Sequence, residues 1–301
     1  MALFHGLSAF PITPTDEHGR VDTAAVGALT DRLATAGVDS VGVLGSTGIA
    51  PYLERGQRRR AVAAAVDATA GRTPVMAGVA ALRTDTAIDL ARDAAAAGAD
   101  GLLAPVMAYA PLSDTEIHTH IAAVARATDL PLAIYNNPVA THLTISTELT
   151  GRLAQIPTVC AVKHPGPPAE EVADNLAALR AHVPSDFAVG YSGDHRATAA
   201  LLAGADGWYS VSGGLFPEAA LAIVRAAQAG DAASAHASNE RLAPVWELFA
   251  ELSSLRVMYC AANLLGITEA QPPRPVLPLP KADRDRVAAA LELARQPVGT
   301  V

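Results

Sequence analysis

Charge and sulfur are both scarce in this chain. Only 17% of its residues are charged and half are hydrophobic, which excludes a disordered chain and provides for a sizeable core. Positive charge is the scarcer sign, with 22 Lys and Arg against 30 Asp and Glu and a net charge of −8. That balance excludes the clustered basic face of a nucleic-acid binder. The one basic run, Arg58-Arg59-Arg60, falls in a predicted helix, where its side chains splay round the axis, and reads as a solvated face. Two cysteines, Cys160 and Cys260, make no disulfide framework and fit a reducing compartment. No uncharged apolar run reaches the about 18 residues of a spanning helix, and residues 1–6 lack the basic and long apolar segments of a signal peptide. The expectation is a cytoplasmic protein with neither a membrane nor a nucleic-acid partner. Metal spacings are missing too. His118 and His120 lie two apart on a predicted helix and do not share a face, and there is no HxxxH or Cys cluster, so no metal is expected.

What the chain does have is alternation. Short apolar runs at residues 7–12, 40–44, 75–78, 101–104, 132–135, 158–163, 187–190 and 207–211 read as strands, separated by Ala-rich helical stretches. The runs are nearly continuous in hydrophobicity, as in parallel strands buried on both faces. Helix punctuation is readable. A helix over 85–97 stops at Gly98, Ser113-Asp-Thr-Glu116 forms a capping-box pattern that opens a helix to 127, and Pro217 precedes a helix over 218–229. Eight such units predict a (β/α)8 TIM barrel over residues 1–230. The doubly wound alternative needs a glycine-rich turn after the first strand, where this chain has Pro11-Ile-Thr-Pro14. Beyond residue 231 the pattern is purely helical, at 231–251, 255–265 and 281–295, with a proline-stiffened connector over 271–280. Residues 231–301 are expected to form a C-terminal helical extension packed on the barrel.

Lys163 ends the apolar strand 158–163, and His164-Pro165-Gly166 follows it. An amine there either snorkels to water or is held partly desolvated. Desolvation lowers its pKa from about 10.4 towards ~7–8 and frees a nucleophile for carbonyl chemistry. Other strand ends in a barrel would share one cavity with it. They carry Ser46 and Thr47, Tyr135 and Asn136, and Ser192-Gly193-Asp194. An amine, a phenol and adjacent hydroxyls suit a Schiff base. Each residue has a plainer reading beside this one. Tyr135 serves as a core aromatic, Asn136 satisfies backbone groups in its turn, His164 is a turn residue, and Asp194 is a first-turn or capping acid rather than half of a dyad with His195.

Three motifs sit in order at predicted strand ends: Gly45-Ser46-Thr47-Gly48, Tyr135-Asn136-Asn137-Pro138 and Val162-Lys163. With them the chain resembles the dihydrodipicolinate synthase / N-acetylneuraminate lyase family over nearly its whole length, including the opening Ala9-Phe10-Pro11-Ile12-Thr13-Pro14. The resemblance implies a cofactor-free, Schiff-base-forming lyase that cleaves or condenses a 2-oxo acid, such as pyruvate, with an aldehyde. In it Lys163 is the Schiff-base lysine, Tyr135 the proton shuttle, and Ser46 and Thr47 the grip on the 2-oxo acid carboxylate. Tyr209 contributes a backbone carbonyl to the pocket, Gly193 is a pocket-wall glycine, and Tyr109 is the aromatic that a neighbouring subunit inserts, in a homodimer or homotetramer. Synthases of the family carry an arginine two residues after the motif's proline. Here Ala140 stands there, which counts against dihydrodipicolinate synthesis, and Ile49 replaces a glutamate. Asn137 and His142 become candidate contacts to the distal part of the substrate, with His164 on the wall beside the lysine. A hydro-lyase on the same scaffold, dihydrodipicolinate synthesis itself and a non-catalytic 2-oxo acid binder are the alternatives. The intact lysine, tyrosine and hydroxyls weigh against the last.

Overall fold

A computed structural model describes residues 2–295. Eight parallel strands close on themselves in sequence order: β1 (Gly6–Ala9), β2 (Ser40–Val43), β3 (Val75–Gly78), β4 (Gly101–Pro105), β5 (Leu132–Tyr135), β6 (Val159–Pro165), β7 (Ala188–Ser192) and β8 (Gly207–Ser210). The predicted (β/α)8 barrel is therefore the observed one. Alternate strand residues divide into two cores. Outward residues such as Leu102, Ile134 and Val189 meet the helices, while Met76, Leu103, Ala133, Tyr135, Ala161 and Tyr209 fill the interior. Small residues make room inside for rings. A Cβ at Gly42 would run into the Phe10 ring, and one at Gly190 would approach Tyr209 Cε2 at 2.5 Å.

Outside the barrel lie α1 (Thr23–Ala36), α2 (Arg55–Thr69), α3 (Thr84–Ala96), α4 (Asp114–Ala125), the short α5 (Pro138–Thr141), α6 (Thr147–Leu153), α7 (Val172–His182), α8 (Ala197–Leu202) and α9 (Pro217–Gln228). The expected capping box is present. Ser113 Oγ accepts from Glu116 N at 3.4 Å, and Glu116 Oε2 accepts from Ser113 N at 2.7 Å. Three further helices follow: α10 (Ala232–Leu252), α11 (Ser254–Leu264) and α12 (Lys281–Arg295). They bind back to the barrel through Tyr259, whose hydroxyl donates to Thr13 O at 2.8 Å, and Trp246, whose Nε1 donates to Ser212 Oγ at 3.1 Å. Residues 296–301 of the expected extension lie outside the described residues. Among those described, no helix is long and apolar enough to cross a membrane.

Three expectations need correction. The first strand ends at Ala9 rather than 12; Phe10 N still bonds Ser210 O, but Pro11 has no N–H with which to continue. The sixth does not stop at Lys163. His164 and Pro165 pair on with Tyr191 and Ser192. The bonds Asn136 N to Lys163 O and Gly166 N to Ser192 O show that odd residues of β6 face β5 and even ones face β7. The N–H that Pro165 lacks would have faced β5 beyond its end at Tyr135. Finally, Arg58 is not part of a solvated face. It is half-buried and donates from Nε to Leu53 O at 3.0 Å and from Nη1 to Ala80 O at 2.6 Å. Arg59 and Arg60 are exposed as expected.

Candidate active site

The C-terminal mouth of the barrel opens into a cavity of about 820 Å³. Lys163 enters it from β6 and is only 3% exposed. Its Nζ lies 4.0 Å from the centroid of the Phe10 ring, 4.1 Å from that of Tyr135 and 5.6 Å from that of Tyr209. Burial pulls the amine down to about 7, against the opposing pull of the Asp194 carboxylate. Ring faces offer the cation some attraction but no hydrogen bonds, so the neutral amine is well populated near neutrality.

Tyr135, the inward residue at the end of β5, places its hydroxyl among polar neighbours. Asn137 Nδ2 donates to it at 2.9 Å, and Ser46 Oγ lies 3.5 Å away. Asn137 Nδ2 also reaches Ser46 Oγ at 3.4 Å, while its Oδ1 accepts from Ala140 N and caps α5. Burial raises the Tyr135 phenol, and the hydrogen bonds from Ser46 and Asn137 offset part of that rise. Ser46 is exposed to the cavity and Thr47 is buried beside it. Their loop is bracketed by two buried residues with left-handed backbone, Leu44 at φ 59° and Ile49 at φ 53°. Such conformations, unusual for branched side chains, persist where surrounding packing over-determines a site.

Of the other sequence candidates, Gly193 lines the cavity at φ 91°, a backbone angle that suits glycine. Tyr209 lines it too, and brings a buried ring as well as backbone. Asn136 satisfies the backbone as expected, donating to Ile145 O and accepting from Ile145 N. Tyr109 is 98% exposed and lies outside its own chain's cavity.

Two candidates are corrected. His142 ends α5 in a left-handed conformation and is exposed, outside the cavity walls. His164, one residue past the lysine, falls on the opposite side of the strand. It packs edge-on against Tyr191 at 5.9 Å and donates from Nδ1 to Pro165 O at 3.0 Å.

Other cavity residues have roles that the sequence does not show. Phe10 was read as part of an opening motif, with nothing to show that it would floor the lysine. Asp194 is a first-turn acid, as expected, in the 3₁₀ turn Asp194–Arg196, but its side chain is not spent on that turn. Its carboxylate, 5% exposed, accepts from Trp208 Nε1 at 3.0 Å, Val211 N at 3.2 Å and Ser212 N at 2.6 Å, and so ties the end of β7 to that of β8. Burial raises its pKa and those donors oppose the rise. Trp246, Phe249 and residues 253–255 also wall the cavity from the C-terminal helices. No local pattern in the sequence signals such long-range approach.

A closed parallel barrel with a desolvated lysine, a phenol and hydroxyls at its mouth defines a lyase of the class I aldolase type. The chain belongs to the dihydrodipicolinate synthetase family, whose pattern it matches over residues 3–294. It is 35% identical over 285 residues to the 4-hydroxy-tetrahydrodipicolinate synthase of Azoarcus sp. (strain BH72), covering 94% of this chain and 96% of that one. Its fold is similar to that of a dihydrodipicolinate synthase from Agrobacterium tumefaciens str. C58, with a TM-score of 0.95 and 56% identity over 97% of this chain and 98% of that. It is also similar to the enzyme from Acinetobacter baumannii crystallised with pyruvate, with a TM-score of 0.90 and 27% identity over 97% and 99% of the two chains.

Proposed function

We propose that the chain joins or splits a 2-oxo acid and an aldehyde through a Schiff base on Lys163. The observation that carries this reading is the buried amine of Lys163, brought to about 7 beside the hydrogen-bonded phenol of Tyr135. The neutral amine attacks C2 of the 2-oxo acid. Tyr135 passes a proton to the oxygen, and water leaves from the carbinolamine. Ser46 and Thr47 hold the carboxylate. The resulting iminium draws electrons from C3, so a C3 proton or the C3–C4 bond is released to give an enamine. In the joining direction the enamine carbon attacks the aldehyde. Gly193 and Asn137 wall the space beyond C3. Pyruvate is supported as the 2-oxo acid by the Acinetobacter neighbour, which was crystallised with it. On this reading residues 1–230 act as the barrel that carries this chemistry and 231–301 as a helical extension packed on it.

Borohydride in the presence of pyruvate should fix one adduct on Lys163, seen by mass spectrometry after digestion. A folded protein left unmodified would overturn the mechanism. Lys163→Ala should abolish turnover and keep the fold.

Ala140 favours a second reading within the same chemistry. It lines the cavity beside Thr141 and supplies no charge where the family's synthases present a guanidinium. A carboxylate buried without a partner costs several kcal/mol. Aspartate semialdehyde held on that side should therefore react poorly, and a hydro-lyase that expels a group from C4 needs no such partner. A kcat/KM with aspartate semialdehyde above about 10⁴ M⁻¹s⁻¹, the low end of ordinary enzyme efficiency, would make the chain a 4-hydroxy-tetrahydrodipicolinate synthase, the activity named for its relatives.

A further inference from the structure

The cavity wall contributed by β7 carries an unused cation. Arg196 follows β7 at the end of a single 3₁₀ turn, Asp194–Arg196, and lines the cavity. Two of its nitrogens are occupied. Nη1 donates to Gly166 O at 2.5 Å and Nε donates to His195 Nε2 at 3.0 Å. Its aliphatic stem lies against Gly166, where a Cβ would come within 3.0 Å of Arg196 Cβ. The side chain is thus held by its base and one edge. Among the described residues Nη2 has no hydrogen-bond partner, and no carboxylate forms an ion pair with Arg196. Since His195 Nε2 accepts this bond, His195 is neutral, in keeping with a pKa lowered by burial and by the Arg196 charge.

The rest of the cavity sharpens the contrast. Its only acid is Asp194, and that carboxylate already takes three N–H donors. With the Lys163 amine held near 7, Arg196, in the turn after β7, is the permanent cation of the cavity wall among the described residues. Strand order places the two ends of a ligand. Ser46 and Thr47 follow β2, and in the closed barrel β2 and β7 are separated by β1 and β8. Lys163 on β6 stands opposite β2, so a 2-oxo acid with its C1 carboxylate at Ser46 and its C2 on Lys163 has its far end between the walls that follow β5 and β7; the first offers the uncharged Ala140, the second Arg196.

We propose that Arg196 is the specificity-determining residue of this cavity, and that it selects 2-oxo acids bearing a second carboxylate at the far end, which it binds through Nη2. This rests on the Schiff-base reading of Lys163. A planar guanidinium pre-held at two corners loses little freedom when it binds a carboxylate, and a hydrogen bond between such charged groups changes affinity by roughly tenfold to a hundredfold.

The test uses the full chain, borohydride and three acids: pyruvate, 2-oxohexanoate and 2-oxoadipate. The last two share a length and differ only in a terminal methyl or carboxylate. The wild type should be half-labelled on Lys163 at a concentration of 2-oxoadipate at least tenfold below that of 2-oxohexanoate. Arg196→Gln should shrink that ratio below about threefold while pyruvate labels as before. Arg196→Met serves the same purpose if the glutamine variant fails to take up pyruvate. Equal labelling of the wild type by the two longer acids, with pyruvate labelling intact, overturns the anchor and leaves the Schiff base standing. So does a variant that labels with pyruvate and keeps the full preference. Absence of any adduct, pyruvate included, overturns the Schiff-base reading and the anchor with it.

Discussion

Lys163 carries its reactivity as a burden on the fold. Its amine is held at about 7 against an ordinary value near 10.5. Between those values the unfolded chain binds a proton that the native chain does not, so stability rises with pH across that window and is flat below it. Lys163→Met should therefore raise Tm by several degrees at pH 6, with the gain fading towards pH 10.5; thermal unfolding at a series of pH values checks this. Asp194 acts in the other direction, since its charge favours the ammonium. Asp194→Asn should move the acid limb of pyruvate adduct formation to lower pH, which a pH series of borohydride trapping would show. A rise instead would mean that the charge of Asp194 does not reach the amine. Lys163, Tyr135 and Ser46 were legible in the sequence because each lies at or just past the end of an apolar run, and strand ends in a barrel converge. Asp194 was legible as a strand-end acid but its task was not, because its three donors come from residues 208–212, and only closure of the sheet brings β8 beside β7.

Elements differ in how much of the site they bear. The Gly42 position on β2 is occupied in space by the ring of Phe10, and that ring lies 4.0 Å from the lysine nitrogen. Gly42→Ala should destabilise the protein by about 1–3 kcal/mol through overpacking and also lower kcat, since the ring moves with the methyl group. Ser113→Ala removes the cap of α4, far from any reacting atom. It should cost about 1 kcal/mol of stability and leave kinetics unchanged. Denaturant unfolding with parallel steady-state assays separates the two. Helices with punctuation in the sequence, such as α4 with its capping box and α9 with Pro217 at its start, appeared where expected. Strand ends shifted where proline bonding depends on the neighbouring strand, as at Pro165. The turn between α10 and α11, with Ser253 at φ 75°, was not legible as a piece of cavity wall.

At the scale of the molecule, four large apolar side chains stand exposed on successive strand-to-helix connections: Tyr52, Leu82, Tyr109 and Val139. Large apolar side chains left this open at one end of a barrel are candidates for a subunit contact. A homodimer or homotetramer with Tyr109 at a boundary is expected, and sedimentation at micromolar concentration should show no monomer. Tyr109→Ala should then lower kcat without changing the fold of the chain. The chain's two tryptophans stand together at one wall of the mouth, Trp246 lining it and Trp208 behind Asp194. Trp208 donates to Asp194, and Trp246, which walls the cavity, stands edge-on to it with ring centroids 6.2 Å apart. All indole emission therefore arises within a few side chains of the reacting amine. The protein has a built-in optical reporter, and mixing with a 2-oxo acid should change its intrinsic fluorescence in step with iminium formation, so that the covalent step is timed in a stopped-flow trace with no label attached.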